Sequence, residues 1–390
     1  MAVTYQGTKY TNYTIVEPEL ASGGEGKIYD IKENPNLVAK IFKTEFRDAE
    51  RDKKLRQMIK EDFSQEQLSM IAWPLDVLTD QFGFVGYVMP KLQNVRPLPD
   101  IYKGGFEGGF DLRYRVVASI NLCKALKMVH DSGQVCGDLN PHNISVNIDK
   151  VEKDNRCQVI LVDTDSYHFR SQSQIYRCGV GQDEYIAPEL HAALDKGYDL
   201  MTVPFPSYTK DTDYFALAVH IFQLLMNGYH PFQCVKDKNS QVAVTSIPQP
   251  IENIKKGFFP YYHKKEGLTT PRYAPEFSFL PEKIQQLFVQ TFVDGYNNPF
   301  ARVKEDEWIE VLTETKFVAK KCQVGGEIVP HYYFAGRKYK DCPICALMRP
   351  VQNKKPENFV TQEEKVAAAA KEEKKEKKSF FSKLGSGIRK

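Results

Sequence analysis

The sequence predicts an α+β, bilobal chain in which a β-rich lobe precedes a larger helical lobe and a small module follows them. Three observations predict it. Residues 10–92 read as short apolar runs broken by Gly, Asn and Pro. From Asp111 onward apolar residues recur at three- and four-residue spacing. After Lys316 the composition shifts to cysteines and aromatics, and then to a long run of charge.

The elements follow in order. "NLVAKIFK" (36–43) and "FGFVGYVMPKL" (82–92) are the clearest strands, with one charged helix expected over 44–60. "LRYRVVASINLCKALKMVHDSG" (112–133) has helical spacing and ends on Gly133, a C-terminal cap. Further helices are expected at 213–227 and 281–293. The boundaries drawn are 10–92 and 93–316 for the two lobes, 317–350 for the module and 351–390 for a tail. The tail contains "KVAAAAKEEKKEKK", which cannot bury a core and reads as a solvated helix or disordered chain.

The totals exclude several classes. With 390 residues, 42% hydrophobic, the chain suits one large domain or two ordinary ones. A net charge of +3 makes no case for nucleic acid as the main partner. "MAVTYQGTKY" lacks a basic start followed by an apolar run, so no signal peptide is expected. Residues 214–226 form the most apolar stretch but are interrupted by His220 and Gln223, which reads as a buried helix. A cytoplasmic setting is the simplest expectation. The eight cysteines are mostly scattered, as in reduced, buried thiols.

Chemistry is expected at four stretches. In "LASGGEGKIYDI" (20–31), Gly23, Gly24 and Gly26 would let backbone amides approach phosphate oxygens, although an ordinary hairpin looks the same. "LVAK" (37–40) ends on Lys40, whose charge suits a phosphate, although for this stretch alone a snorkelling surface lysine is the simpler reading. "VCGDLNPHNISVN" (135–147) carries Asp138 and Asn143 on a short, stiff loop: a base for a hydroxyl proton and a carbonyl oxygen for a hard cation, or a plain turn. "VILVDTD" (159–165) ends a buried strand on Asp163 and Asp165.

In that order the stretches are a parts list for phosphoryl transfer from a magnesium nucleotide. Here the sequence resembles the eukaryotic-like (Hanks-type) protein kinase family over about residues 15–313. "ASGGEGKI" is similar to its glycine-rich loop, "LVAK" to its lysine strand, "CGDLNPHN" to its catalytic loop, and "DTD" stands at its Asp-Phe-Gly. Downstream, "APE" (187–189) matches Ala-Pro-Glu. "DTDYFALAVHIFQLLMNGYHPF" looks like the central buried helix, with Asp213 as anchoring acid, and "NPFAR" supplies Arg302 to pair with Glu189.

The resemblance implies a serine/threonine protein kinase that uses ATP and magnesium and acts on protein substrates, itself included. It implies that Lys40 holds the α- and β-phosphates, Asp138 deprotonates the acceptor, and Asn143 and Asp163 bind magnesium. Ala21, Ser22, Gly23, Gly24, Gly26 and Ile28 would cover the nucleotide, and the segment from Met89 through Lys91 to Gln93 would meet adenine. An acid of the 44–60 helix should pair with Lys40: Glu50 is chosen, with Glu45 and Asp52 as alternatives.

Departures are informative. Cys136 and Gly137 replace His and Arg, so no dependence on a phosphorylated activation loop is expected. Asn140 stands where a lysine is usual, removing positive charge from the transition state. Thr164 and Asp165 replace Phe and Gly, and Ala21 replaces a loop glycine. The rival readings are a pseudokinase that binds nucleotide as a scaffold and a small-molecule kinase on the same fold. "GDLNPHN" and "VDTDSYHF" resemble a divergent bacterial branch, which implies a phosphatase or a von Willebrand A-type protein as partner.

In "CQVGGEIVPHYYFAGRKYKDCPIC", Cys322, His331, Cys342 and Cys345 offer a ligand set for structural, tetrahedral zinc in a zinc-ribbon-like module. The alternative is a buried cysteine pair beside an unrelated histidine. In the tail, basic residues flank Phe380, Phe381 and Leu384, which suits an anionic membrane surface or a partner groove, though a flexible soluble tail is the simpler expectation.

Overall fold

Side chains of a strand alternate between two faces, and in the strand Leu37–Phe42 that alternation decides where the lysine goes. Ala39 and Ile41 enter an apolar core with Ile15, Ile31, Leu78, Val85 and Val88. Lys40 therefore leaves on the other face. In this computed structural model the described residues are 3–9, 11–103, 110–147, 157–171, 174–201, 207–242 and 244–348. The expectations for the tail lie outside them.

Six strands enclose that core: β1 (Val3–Gln6), β2 (Asn12–Ser22), β3 (Gly26–Ile31), β4 (Leu37–Phe42), β5 (Asp76–Asp80) and β6 (Gly83–Pro90). They close as an antiparallel barrel in the order β1-β2-β3-β4-β6-β5, which leaves no strand edge unpaired. The expected 44–60 helix is shorter. A single turn at Thr44–Phe46 precedes α1 (Ala49–Met58), whose N-terminus is capped by the Asp48 side chain accepting from Arg51 N at 2.7 Å.

The helical part is built on α2 (Leu112–Asp131) and α3 (Lys210–Leu225). Asp111 caps the start of α2, and Gly133, at φ 80°, ends it as the spacing predicts. α3 begins at a capping box between Thr209 and Thr212 and is buried from Thr212 to Leu225. The expected 281–293 helix is α4 (Glu282–Val289), which widens into a looser turn through Asp294. α5 (Glu305–Thr313) follows. Two small ladders carry the loops of interest. β7 (Val95–Pro97), β8 (Ile144–Asn147) and β9 (Gln158–Leu161) pair with β8 in the middle, and His168–Ser171 lies between Gln134–Val135 and Gln174–Tyr176.

Near the end of the described chain, β10 (Phe317–Val324) and β11 (Glu327–Phe334) form a hairpin. Its two-residue turn is Gly325–Gly326, at φ 58° and 93°, the left-handed pair that matches strand twist. A short helix, α6 (Pro343–Met348), comes after it. Among the described residues no helix is long and apolar enough to cross a membrane.

Candidate active site

Register across the barrel lines up one face. Ala21 pairs with Ile28, Ile28 with Lys40, and Lys40 with Tyr87, while Val38 pairs with Met89 one pleat along. Paired residues share a face, so these side chains form a largely apolar platform with one amine in it. The loop that joins β2 to β3 is closed by Gly23 N donating to Gly26 O at 2.9 Å. A Cβ on Gly26 would lie 2.5 Å from Ile41 O, so the close approach of β3 to β4 requires glycine there. Lys43 Nζ also donates to Gly24 O at 2.5 Å.

Lys40 is buried, and its Nζ donates to Asp163 Oδ1 at 2.6 Å and to Asp165 Oδ1 and Oδ2 at 2.8 and 3.0 Å. Burial opposes the charge, but the carboxylates of Asp165 and Asp163 outweigh it, and the ammonium is held above its usual range. Both acids hang from the end of β9. That strand is fixed by backbone bonds Leu161 N→Met70 O (2.9 Å) and Ala72 N→Leu161 O (2.8 Å). Thr164 Oγ1 donates to Ala72 O at 2.9 Å, pinning the turn between the acids. Asp163 is left-handed, at φ 57°, a conformation costly for most side chains and tolerated best by Asn and Asp.

The Asp138 loop is held by α3. Cys136 N and Gly137 N donate to Asp213 at 2.7 and 2.9 Å, and His220 bonds Leu139 O at 2.8 Å. Seven residues apart, Asp213 and His220 lie on one helix face, two turns from each other. Burial pushes His220 down to about 4, so its ring is neutral and Nε2–H must be the donor to that carbonyl. Asp213 in turn meets His130 Nε2 at 3.0 Å, and His130 Nδ1 lies 2.5 Å from Glu305. Within the loop, Asn143 Nδ2 donates to Asp138 O at 2.9 Å and to Oδ2 at 3.2 Å, and Asn140 Nδ2 donates to Oδ2 at 2.9 Å. Burial raises the Asp138 carboxyl, opposed by those N–H donors and by Gln182 N–H.

The two halves are contiguous. Val162 N donates to Asn143 O at 2.9 Å, across the β8–β9 hairpin, which sets Asn143 beside the residue preceding Asp163. Lys40, Asp163, Asn143 and Asp138 are thus linked in one chain of contacts.

No protein-family model matches the chain. Over 347 residues it is 27% identical to protein kinase YegI of Escherichia coli K12, an alignment covering 86% of this chain and 49% of that protein. The protein of the same name in Escherichia coli O157:H7 is 27% identical over 343 residues, 84% of this chain and 48% of its own length. A shorter similarity, 32% over 122 residues, is to the calcium/calmodulin-dependent protein kinase type I of Schizosaccharomyces pombe, covering 31% of this chain and 30% of that one. Over most of its length the chain is similar to the bacterial protein kinases, and over about a third of it to the fission-yeast one. It spans about half the length of the bacterial relatives it matches.

In this chain the expected ion pair between Lys40 and an acid of α1 is replaced. Glu50 is 72% exposed and meets Lys53 at 3.1 Å and Gln174 at 3.3 Å. Asp52 pairs with Arg56 at 2.8 Å, and Glu45 lies in the turn ahead of α1. The reason is helical phase. α1 turns Arg51, Lys54, Leu55 and Met58 inward, which sends Glu50 out. Arg51 instead forks onto Glu25 of the glycine loop at 2.7 and 3.1 Å.

Other expected residues are placed as follows. Ala21, Ile28 and Met89 stand on the platform, Ser22 ends β2, and Lys91 pairs with Asp30 at 2.5 Å. Arg302 forks onto Glu189 at 2.8 and 2.6 Å, the pair the motifs anticipate. Gly137 has φ 75°, and a Cβ there would sit 2.8 Å from Cys178 Cβ, so an arginine cannot be accommodated in this backbone. No sequence motif assigns a role to Tyr87, His220 or Asp165. His220 carried a signal, a lone polar break in an apolar helix; Asp165 was visible only as a second acid beside Asp163.

Cys322, His331, Cys342 and Cys345 offer ligand atoms that all lie within 4.8 Å of one another. Cys322 and His331 come from β10 and β11, while Cys342 and Cys345 bracket the first turn of α6. Cys342 and Cys345 Sγ lie 3.5 and 3.3 Å from His331 Nδ1. A zinc tetrahedron has S–N edges of about 3.5 Å, given zinc–ligand lengths of about 2.3 and 2.0 Å. Donor set and spacing both fit. The hairpin meets the body through Arg113 over the Tyr332 ring (3.3 Å), Phe279 against Phe334 (5.5 Å) and Arg337 on Ser278 O (2.8 Å).

Proposed function

We propose that the chain is a protein kinase that transfers the γ-phosphoryl of magnesium-ATP to serine or threonine hydroxyls of protein substrates, itself among them. One observation carries it: residues from 40 to 163 are linked by direct contacts in the order Lys40–Asp163, Val162–Asn143, Asn143–Asp138. In this reading the fold is bilobal, with residues 10–92 and 93–316 as its lobes and the nucleotide between them. The platform of Ala21, Ile28, Val38 and Met89 receives the base, and the glycine loop covers the phosphates.

Lys40 supplies positive charge to the phosphates. Asp138 accepts the proton as the acceptor oxygen attacks phosphorus and the bond to the β-phosphate oxygen breaks. Magnesium suits Asp163 and Asn143. The Asn143 amide nitrogen is spent on Asp138, which leaves its oxygen for a hard cation. Held by Asp163 and Asn143, such an ion would supply charge neutralisation to the transferring group. Zinc on Cys322, His331, Cys342 and Cys345 would close the 317–350 module, which we assign to docking partners such as a phosphatase or a von Willebrand A-type protein. The setting proposed is the cytoplasm.

A nucleotide-binding scaffold without turnover is the second reading. Asn140 favours it, being a neutral amide on Asp138 where a lysine is usual. The test is incubation with labelled ATP, magnesium and casein beside the Asp138→Asn variant. Transfer by the wild type and its loss by about a thousandfold in the variant supports the kinase; nucleotide binding with no transfer by either supports the scaffold.

A further inference from the structure

Asp165 is given no part in the roles above, yet it is the acid most tightly held in the site. Both its carboxylate oxygens accept from Lys40 Nζ, and Oδ1 also accepts from Tyr87 O–H at 2.8 Å. Tyr87 is the cross-strand neighbour of Lys40, so amine, phenol and carboxylate meet on one barrel face. The two acids of the turn are unequal. The Asp163 side chain is 44% exposed and that of Asp165 only 4%. A half-exposed carboxylate can exchange Lys40 for a cation when a nucleotide enters. A buried one cannot leave without stranding charge in the interior.

We propose that Asp165, steadied by Tyr87, is the positioning residue for Lys40, serving in place of an acid on α1. Lys40 is then supported by a strand-end turn pinned to Ala72 rather than by a helix. A shift of α1 would not disarm it. This deepens the phosphoryl-transfer reading and rests on it for its kinetics, but not for the chemistry of the amine.

The experiment compares the full chain with Asp165→Asn, Tyr87→Phe and Glu50→Ala, each first checked for a wild-type circular dichroism spectrum. With magnesium-ATP and casein, Asp165→Asn is expected to lower kcat about tenfold or more and to raise KM for ATP, Tyr87→Phe to do the same severalfold, and Glu50→Ala to do neither. Without nucleotide, reductive methylation of Lys40 with formaldehyde, read by mass spectrometry, is expected to rise severalfold in Asp165→Asn and to stay at the wild-type level in Glu50→Ala. A folded Asp165→Asn with wild-type kinetics and wild-type Lys40 labelling overturns the inference, as does a loss in Glu50→Ala equal to that in Asp165→Asn. If Asp165→Asn does not fold, Tyr87→Phe decides by the same readouts. A labelling change in Asp165→Asn with no transfer by any form would sink the kinase reading and leave the positioning of Lys40 standing.

Discussion

In the proposed reaction Asp138 acts only as the ionised base, so the hydrogen bonds around it would set the acid limit of transfer. Burial lifts its pKa, and the Asn140, Gln182 and Asn143 donors pull it back. Asn140→Ala removes one donor, and the acid limb of the rate–pH profile is expected to move to higher pH. His130 is the converse case. Burial disfavours its charge, but the Asp213 and Glu305 carboxylates raise it from 6.5 to about 9. A folded pKa above the unfolded one means the stabilisation is complete below about pH 6.5 and is lost as pH rises through about 9. The gap in unfolding free energy between wild type and His130→Gln should therefore narrow by roughly 3 kcal/mol across that window in urea titrations. Residues joined within one short loop, such as Asp138 and Asn143, were legible as a unit. The bond between Tyr87 and Asp165 spans 78 positions, and no local pattern reports it.

At the level of elements, α2 and α3 were readable because their apolar periodicity is strong and their ends carry a glycine cap and a capping box. α1 was not. Its "AERDKKLRQM" has charge on every face, so its phase, and with it the fate of Glu50, had to come from packing. The Arg302–Glu189 fork joins α5's approach to the short helix Pro188–Leu194. The Arg302 side chain is fully buried and Glu189 27% exposed. Glu189→Gln leaves a buried guanidinium without its counter-charge and is expected to cost about 3 kcal/mol in denaturant unfolding.

Across the whole molecule, all four residues of the Cys322, His331, Cys342 and Cys345 group were legible in the sequence: Cys342 and Cys345 by their tight spacing, Cys322 and His331 only as looser candidates that the hairpin register brings within reach. Metal analysis of purified protein is expected to find one zinc, lost in Cys342→Ser and Cys345→Ser, and chelation is expected to lower the melting temperature. The loop that carries Asp138 hangs from α3 at Asp213 and His220, two points on one cylinder. That makes its aim a matter of rotation. One alanine inserted between them would turn one anchor about 100° away from the other, so the seven-residue spacing from Asp213 to His220 is what keeps the loop aimed.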